Sequence, residues 1–142
     1  MKSKAPLTLM ELMIMVLVFA LSAALCLQVF ITADRLSRES SARDQAVLTA
    51  ENAAETVKHY AGDLENAAKS LGGDVSGDCL KVYYDAQWNQ VAEDGNVAYD
   101  VTVELEVPRQ KMLGMANVVV KTTDGTELFR IPVAWQEVSR NE

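Results

Sequence analysis

Between Leu12 and Ala33 the chain carries no charged residue, and its only strongly polar side chains there are Ser22, Gln28 and Thr32. A helix of about 22 residues rises about 33 Å, enough to cross a hydrocarbon core of about 30 Å. A chain of 142 residues is too small to surround a helix that is apolar on every face, which argues against a buried core helix. A cleaved secretory signal fits poorly, because the apolar run exceeds the usual ~7–15 residues and Ile31-Thr32-Ala33 is a poor cleavage site. A lipid anchor at Cys26 fits less well still, because Leu25 precedes it where a small residue is required. The run predicts a single transmembrane helix. Lys2 and Lys4 lie before it and Arg35, Arg38 and Arg43 after it, so charge alone does not fix its orientation.

The remainder is acidic. Residues 34–142 hold 11 Lys/Arg against 19 Asp/Glu, a net of −8. That argues against bulk binding to nucleic acid or anionic lipid, which needs a basic face. Two cysteines, Cys26 and Cys79, and one histidine, His59, are too few for a disulfide framework or a Cys/His zinc site.

Glu11 is out of place in a simple anchor. It sits among Leu7, Leu9, Met10, Leu12, Met13 and Ile14. A carboxylate costs about 2–3 kcal/mol at a helix centre in the bilayer and less near the interface. It either snorkels to the headgroups or is reserved for a partner. The stretch Leu7-Thr8-Leu9-Met10-Glu11-Leu12-Met13-Ile14 resembles the N-terminus of the type IV pilin and pseudopilin family. That family has a short basic leader, a Gly at the cleavage site, an apolar residue, Thr, Leu, an apolar residue and Glu, then an uninterrupted apolar helix. Here the leader would be residues 1–6, with Pro6 where the family has Gly.

The resemblance implies cleavage between Pro6 and Leu7 by a prepilin peptidase and methylation of the Leu7 amine. It implies that Glu11 then pairs with the N-terminal ammonium of its own or a neighbouring subunit and fixes the stagger between helices. It implies a membrane location with the C-terminal domain outside, and other pilin or pseudopilin subunits as partners. Proline at position 6 departs from the pattern, because it removes an N–H and restricts Ala5. If uncut, it suits the first turn of a helix.

Beyond the membrane run, residues 34–45 have a weak apolar face and alternate in charge, as a solvated stalk would. Ala46, Ala50, Ala53, Val57, Tyr60, Leu64, Ala67 and Leu71 then follow 3–4 spacing, an amphipathic stripe with small residues at its start. A long helix is expected over 7–61 and a short one over 63–71, capped by Asp63 and ended by Gly72-Gly73.

The period then switches to two. Strands are expected at 79–84, 97–107, 115–122 and 127–135, with Pro108 ending the second. The 97–107 strand should have one wet, acidic face. Asp124-Gly125 reads as a two-residue type I′ turn, pairing Val120 with Phe129, Val118 with Ile131 and Ala116 with Val133. Pro132 marks the last strand as an edge or a bulge. The expected class is α+β, with a four-stranded antiparallel sheet packed on the helix, similar to the pilin fold. The expected segments are 1–6 (leader), 7–33 (membrane helix), 34–71 (stalk and amphipathic helix) and 72–142 (β domain).

No catalytic motif occurs, and no enzyme activity, cofactor or metal is expected. His59 reads as an ordinary helix residue. Asp74, Asp78, Glu93 and Asp94 lie in loop-like segments but match no EF-hand spacing. Trp88 sits in the loop after the first strand, either exposed or packed on the helix. The leading expectation is a structural subunit, a minor pilin or pseudopilin. The alternative is an uncleaved single-pass protein whose acidic domain binds a partner at the cell surface.

Overall fold

The structure, a computed structural model, describes residues 5–107 and 112–136. Met1 to Lys4 of the expected leader and the strand-ending Pro108 lie outside the described residues. The chain divides into two compact units, Met1–Ser41 and Ala42–Glu142, and one helix, α1 (Ala5–His59), contributes to both.

The described part of the first unit is helix alone. The apolar run has no Gly or Pro to interrupt it. Pro6 occupies the first turn, where a missing N–H costs nothing.

In the second unit α1 ends at His59, two residues short of the expected 61, through a tight closure. Gly62 N–H donates to the Val57 carbonyl and Ala61 N–H to the Lys58 carbonyl, both at 3.0 Å. This is a Schellman closure that puts Ala61 at φ 49° and Gly62 at φ 82°. Helix α2 (Leu64–Leu71) starts at Asp63, whose side chain accepts the Asn66 N–H, and ends at left-handed Gly72.

The sheet has six antiparallel strands among the described residues, not four: β1 (Asp74–Ser76), β2 (Cys79–Tyr84), β3 (Gln90–Val91), β4 (Tyr99–Glu106), β5 (Leu113–Thr122) and β6 (Glu127–Gln136). Their order is β1-β2-β4-β5-β6, and β3 pairs with β2. The two unexpected strands are three and two residues long, too short to show a period. Strand β1 also claims Asp74, which is therefore not a loop residue. Strand β6 lies at the sheet edge, as Pro132 requires.

The core joins the helical stripe to the inner face of the sheet. Ala46, Ala50, Ala53, Val57, Leu64, Ala67 and Leu71 are all buried, with Ala54 and Ala68 added. Opposite them the register aligns Leu80, Val103, Val118 and Ile131 in one row and Val82, Val101, Val120 and Phe129 in the next. The α+β class follows directly.

The outer face is not uniformly wet. Thr102 and its β5 partner Val119 are buried, at 8% and 3% exposure, in a row that begins with Asp74, passes through Lys81 and ends with Arg130. Glu104 and Glu106 are exposed as expected.

The β5–β6 turn also differs from expectation. Thr122 N–H donates to the Thr126 carbonyl and Gly125 N–H to the Thr122 carbonyl. Gly125 has φ 86°, whereas Asp124 keeps negative φ, so this is a three-residue connection and not type I′. Asp124 also accepts the Thr126 N–H and the Thr122 hydroxyl. Lys121 pairs with Glu127, and a bulge follows before Val120 pairs with Phe129. The longer turn shifts the register by one residue and the bulge at Leu128 shifts it back. The expected pairs therefore form by a different route.

Candidate functional site

In the first unit every large apolar side chain from Leu7 to Leu36 is at least 54% exposed. Continuous apolar surfaces on that scale generally mark membrane or protein contacts. Helix α1 is long and apolar enough to cross a membrane, with a mean hydropathy of 2.7 over its most apolar stretch. Its polar side chains are partly handled within the helix. Ser22 Oγ donates to the Val18 carbonyl at 2.8 Å and Thr32 Oγ1 to the Gln28 carbonyl at 2.9 Å.

Pro6, Leu7 and Glu11 fall within the first two turns of α1, and all three are exposed. Leu7 and Glu11 are four residues apart, so they share a face one turn from each other. Among the described residues the ion pairs are Arg35–Glu39, Arg38–Asp34 and Arg130–Glu127; Glu11 belongs to none of them. The first two pairs follow the charge-free run directly and neutralise two of the three arginines there.

Among the described residues no three His, Cys, Asp or Glu side chains converge on one point. His59 is exposed, edge-on to Tyr60 at 4.9 Å. Cys26 and Cys79 are both free, and burial pushes the Cys79 thiol above its ordinary pKa. Asp78, Glu93 and Asp94 are exposed turn residues. Glu93 accepts the Tyr83 hydroxyl at 3.1 Å.

Trp88 is half-buried, stacked on Tyr99 at 4.1 Å with 9° between the rings. Its loop is organised by Asp85, whose Oδ1 accepts the N–H groups of Gln87 (2.9 Å) and Asn89 (2.8 Å). The Asn89 bonds, followed by that from Gln87, hold the Asp85 carboxyl below its usual pKa. Trp88 pays for its place with φ 63°. Sequence reasoning found the loop but not the strain, which has no signature in residue type.

A groove opens within the second unit between α1 and β6. Leu48, Glu51 and Glu55 form one wall, and Ile131 and Pro132 the other. Pro132 was the sequence signal for that edge; the groove itself had none. Compared with known proteins, the chain matches no family model, no curated protein and no solved structure.

Proposed function

We propose that this chain is a structural, non-catalytic subunit of a filament machine of the type IV pilus, type II secretion or DNA-uptake kind, pilin-like in build and minor in role. One observation carries the reading. A single helix, α1, is apolar and exposed on all sides through residues 12–33 and then, over Ala46–Val57, buries a small-residue stripe under an antiparallel sheet. A helix built this way serves two environments in turn, a lipid or helix bundle and a folded domain.

The mechanism follows from Glu11. Hydrolysis of the Pro6–Leu7 bond by a prepilin peptidase would create an ammonium at Leu7, one helical turn from the carboxylate. In hydrocarbon an unpaired carboxylate is unfavourable, so Glu11 favours the one stagger that brings an ammonium to it. Methylation of that amine leaves its charge in place. The sheet domain, outside the membrane, would present the contact surfaces. Glu11 acts here as a register device and contributes little net stability.

A second reading is favoured by Pro6, which caps the first turn of α1 without penalty. In it the chain stays uncut, a permanent anchor whose acidic domain binds a partner, with the groove beside Glu51 and Glu55 as its surface.

Intact-mass and N-terminal peptide mass spectrometry on protein from its own host separates the two. A chain beginning at a methylated Leu7 supports the filament subunit. A membrane-bound chain that retains Met1 to Pro6 overturns peptidase-dependent assembly and leaves the anchor.

A further inference from the structure

Gln28 is the polar residue of the apolar run whose side chain α1 does not serve. Ser22 and Thr32 return their hydroxyl protons to carbonyls one turn back. The Gln28 side-chain amide has no such partner among the described residues, and hydrocarbon supplies none.

Snorkelling does not solve this. Taking the charge-free run as the span, Gln28 lies about 8 Å past the midplane and about 7 Å short of the nearer hydrocarbon edge. Side chains on a helix tilt towards its N-terminus. The amide of Gln28 is therefore carried towards the midplane, away from the nearer edge.

The chemistry of the group says what meets it. An amide is self-complementary, with two donor hydrogens and an acceptor oxygen. A carboxylate or a lone hydroxyl pair lacks that symmetry. Two parallel copies at the same depth can each donate an amide N–H to the other's amide oxygen. The surrounding residues fit such a pair: Ile14, Leu17, Leu21, Ala24, Gln28 and Ile31 are spaced 3-4-3-4-3 and all are exposed. That is a left-handed seam with one polar residue, the arrangement that fixes register in a parallel helix pair. Ala24, one turn below Gln28, lets the backbones come close.

We propose that Gln28 pairs with the same residue of a second copy of this chain, in a parallel, in-register helix dimer within the membrane. This rests on the membrane-spanning reading of α1 above and adds its partner, face and depth. It is distinct from the staggered contact through Glu11, because the two amides meet only at equal height.

The test uses the full chain in host membranes. Native Cys26 is two residues from both Ala24 and Gln28, about 200° around the helix, and serves as the off-face control. Every variant, the Cys26 control included, carries Cys79→Ser; Ala24→Cys and Ile31→Cys are each also made with Cys26→Ser, then oxidised with copper–phenanthroline, and the dimer fraction is read on a non-reducing gel. Alkaline carbonate extraction is run in parallel. The expected result is membrane retention, with cross-linking at both seam positions roughly five- to tenfold above Cys26. Gln28→Leu lowers it by a similar factor, and Gln28→Asn keeps a larger share than Gln28→Leu. Retention with equal cross-linking at Ala24→Cys and Cys26, or with no effect of Gln28→Leu, overturns the dimer and leaves the span standing. Release by carbonate overturns both.

Discussion

Trp135 of β6 fills the space that a side chain at Gly62 would need: a Cβ there would overlap the indole ring. Gly114, directly across the sheet from Trp135, is barred in the same way. Two glycines from distant segments thus form the seat of one tryptophan, at the corner where α1 turns into α2. The seat predicts a graded pair of costs. Gly114→Ala suffers overlap alone and should lose about 1–3 kcal/mol. Gly62→Ala adds a left-handed backbone at φ 82° and should lose about 2–4 kcal/mol. Urea unfolding in detergent micelles measures both. Pairing Gly62→Ala with Trp135→Leu should recover the overlap part and not the backbone part.

Ala61 gives a prediction of opposite sign. It closes α1 at φ 49°, where an L side chain is strained and glycine is not. Ala61→Gly should stabilise the domain by about 1 kcal/mol. The same unfolding experiment reads it, and a loss of stability would show that the Ala61 methyl contributes more by packing than it costs in strain.

Alkaline pH should weaken the second unit through its tyrosines. Burial raises Tyr84 above the ordinary tyrosine pKa of 10.0. Burial first, then the Glu93 carboxylate that accepts its proton, raises Tyr83 as well. A group with a raised folded pKa stabilises fully below its unfolded value and loses that contribution as pH climbs through the folded one. Melting temperature should therefore hold up to about pH 10 and fall above it, and Tyr84→Phe should flatten the fall. At the other extreme, Asp85 is lowered by Asn89 and Gln87, and Asp124 by Thr122 and Thr126. Their contributions are present above the ordinary value of 3.8 and fade as pH drops below it, which Trp88 fluorescence should report for the Asp85 loop.

The proposed role of Glu11 can be tested apart from the fold. Glu11→Ala removes the carboxylate from an exposed position in the unit that contains none of the sheet. Membrane extraction and the melting of the second unit should be unchanged. Recovery of the protein in sheared filaments should fall roughly tenfold or more if the carboxylate sets the stagger. Unchanged recovery would remove Glu11 from the assembly mechanism.

The helical stripe was legible because its period is long and its residues small: all of Ala46, Ala50, Ala53 and Val57 are buried where spacing put them. The four longer strands were legible because six to ten residues show several cycles of alternation. Strands β1 and β3 were not, because two or three residues cannot display alternation. Thr102 looked like a wet position from its neighbours Asp100 and Glu104; only the pairing with Val119 explains its burial. The Trp135 seat was hidden because Gly62 and Gly114 carry no sign of which side chain excludes theirs. For the candidate site, sequence alone placed Pro6, Leu7 and Glu11 at the head of α1. It did not show that Ser22 and Thr32 satisfy themselves while Gln28 does not.

The hairpin between β5 and β6 carries two irregularities that cancel, a turn one residue longer than the shortest and a bulge at Leu128. At constant chain length, closing the two-residue turn on Asp124-Gly125 while keeping the bulge would turn Phe129, Ile131 and Val133 from the core to the solvent. Turn and bulge can therefore be exchanged only together. A shorter turn with a straight β6 would bury the same three residues, so this corner of the chain has two backbone paths that share one core.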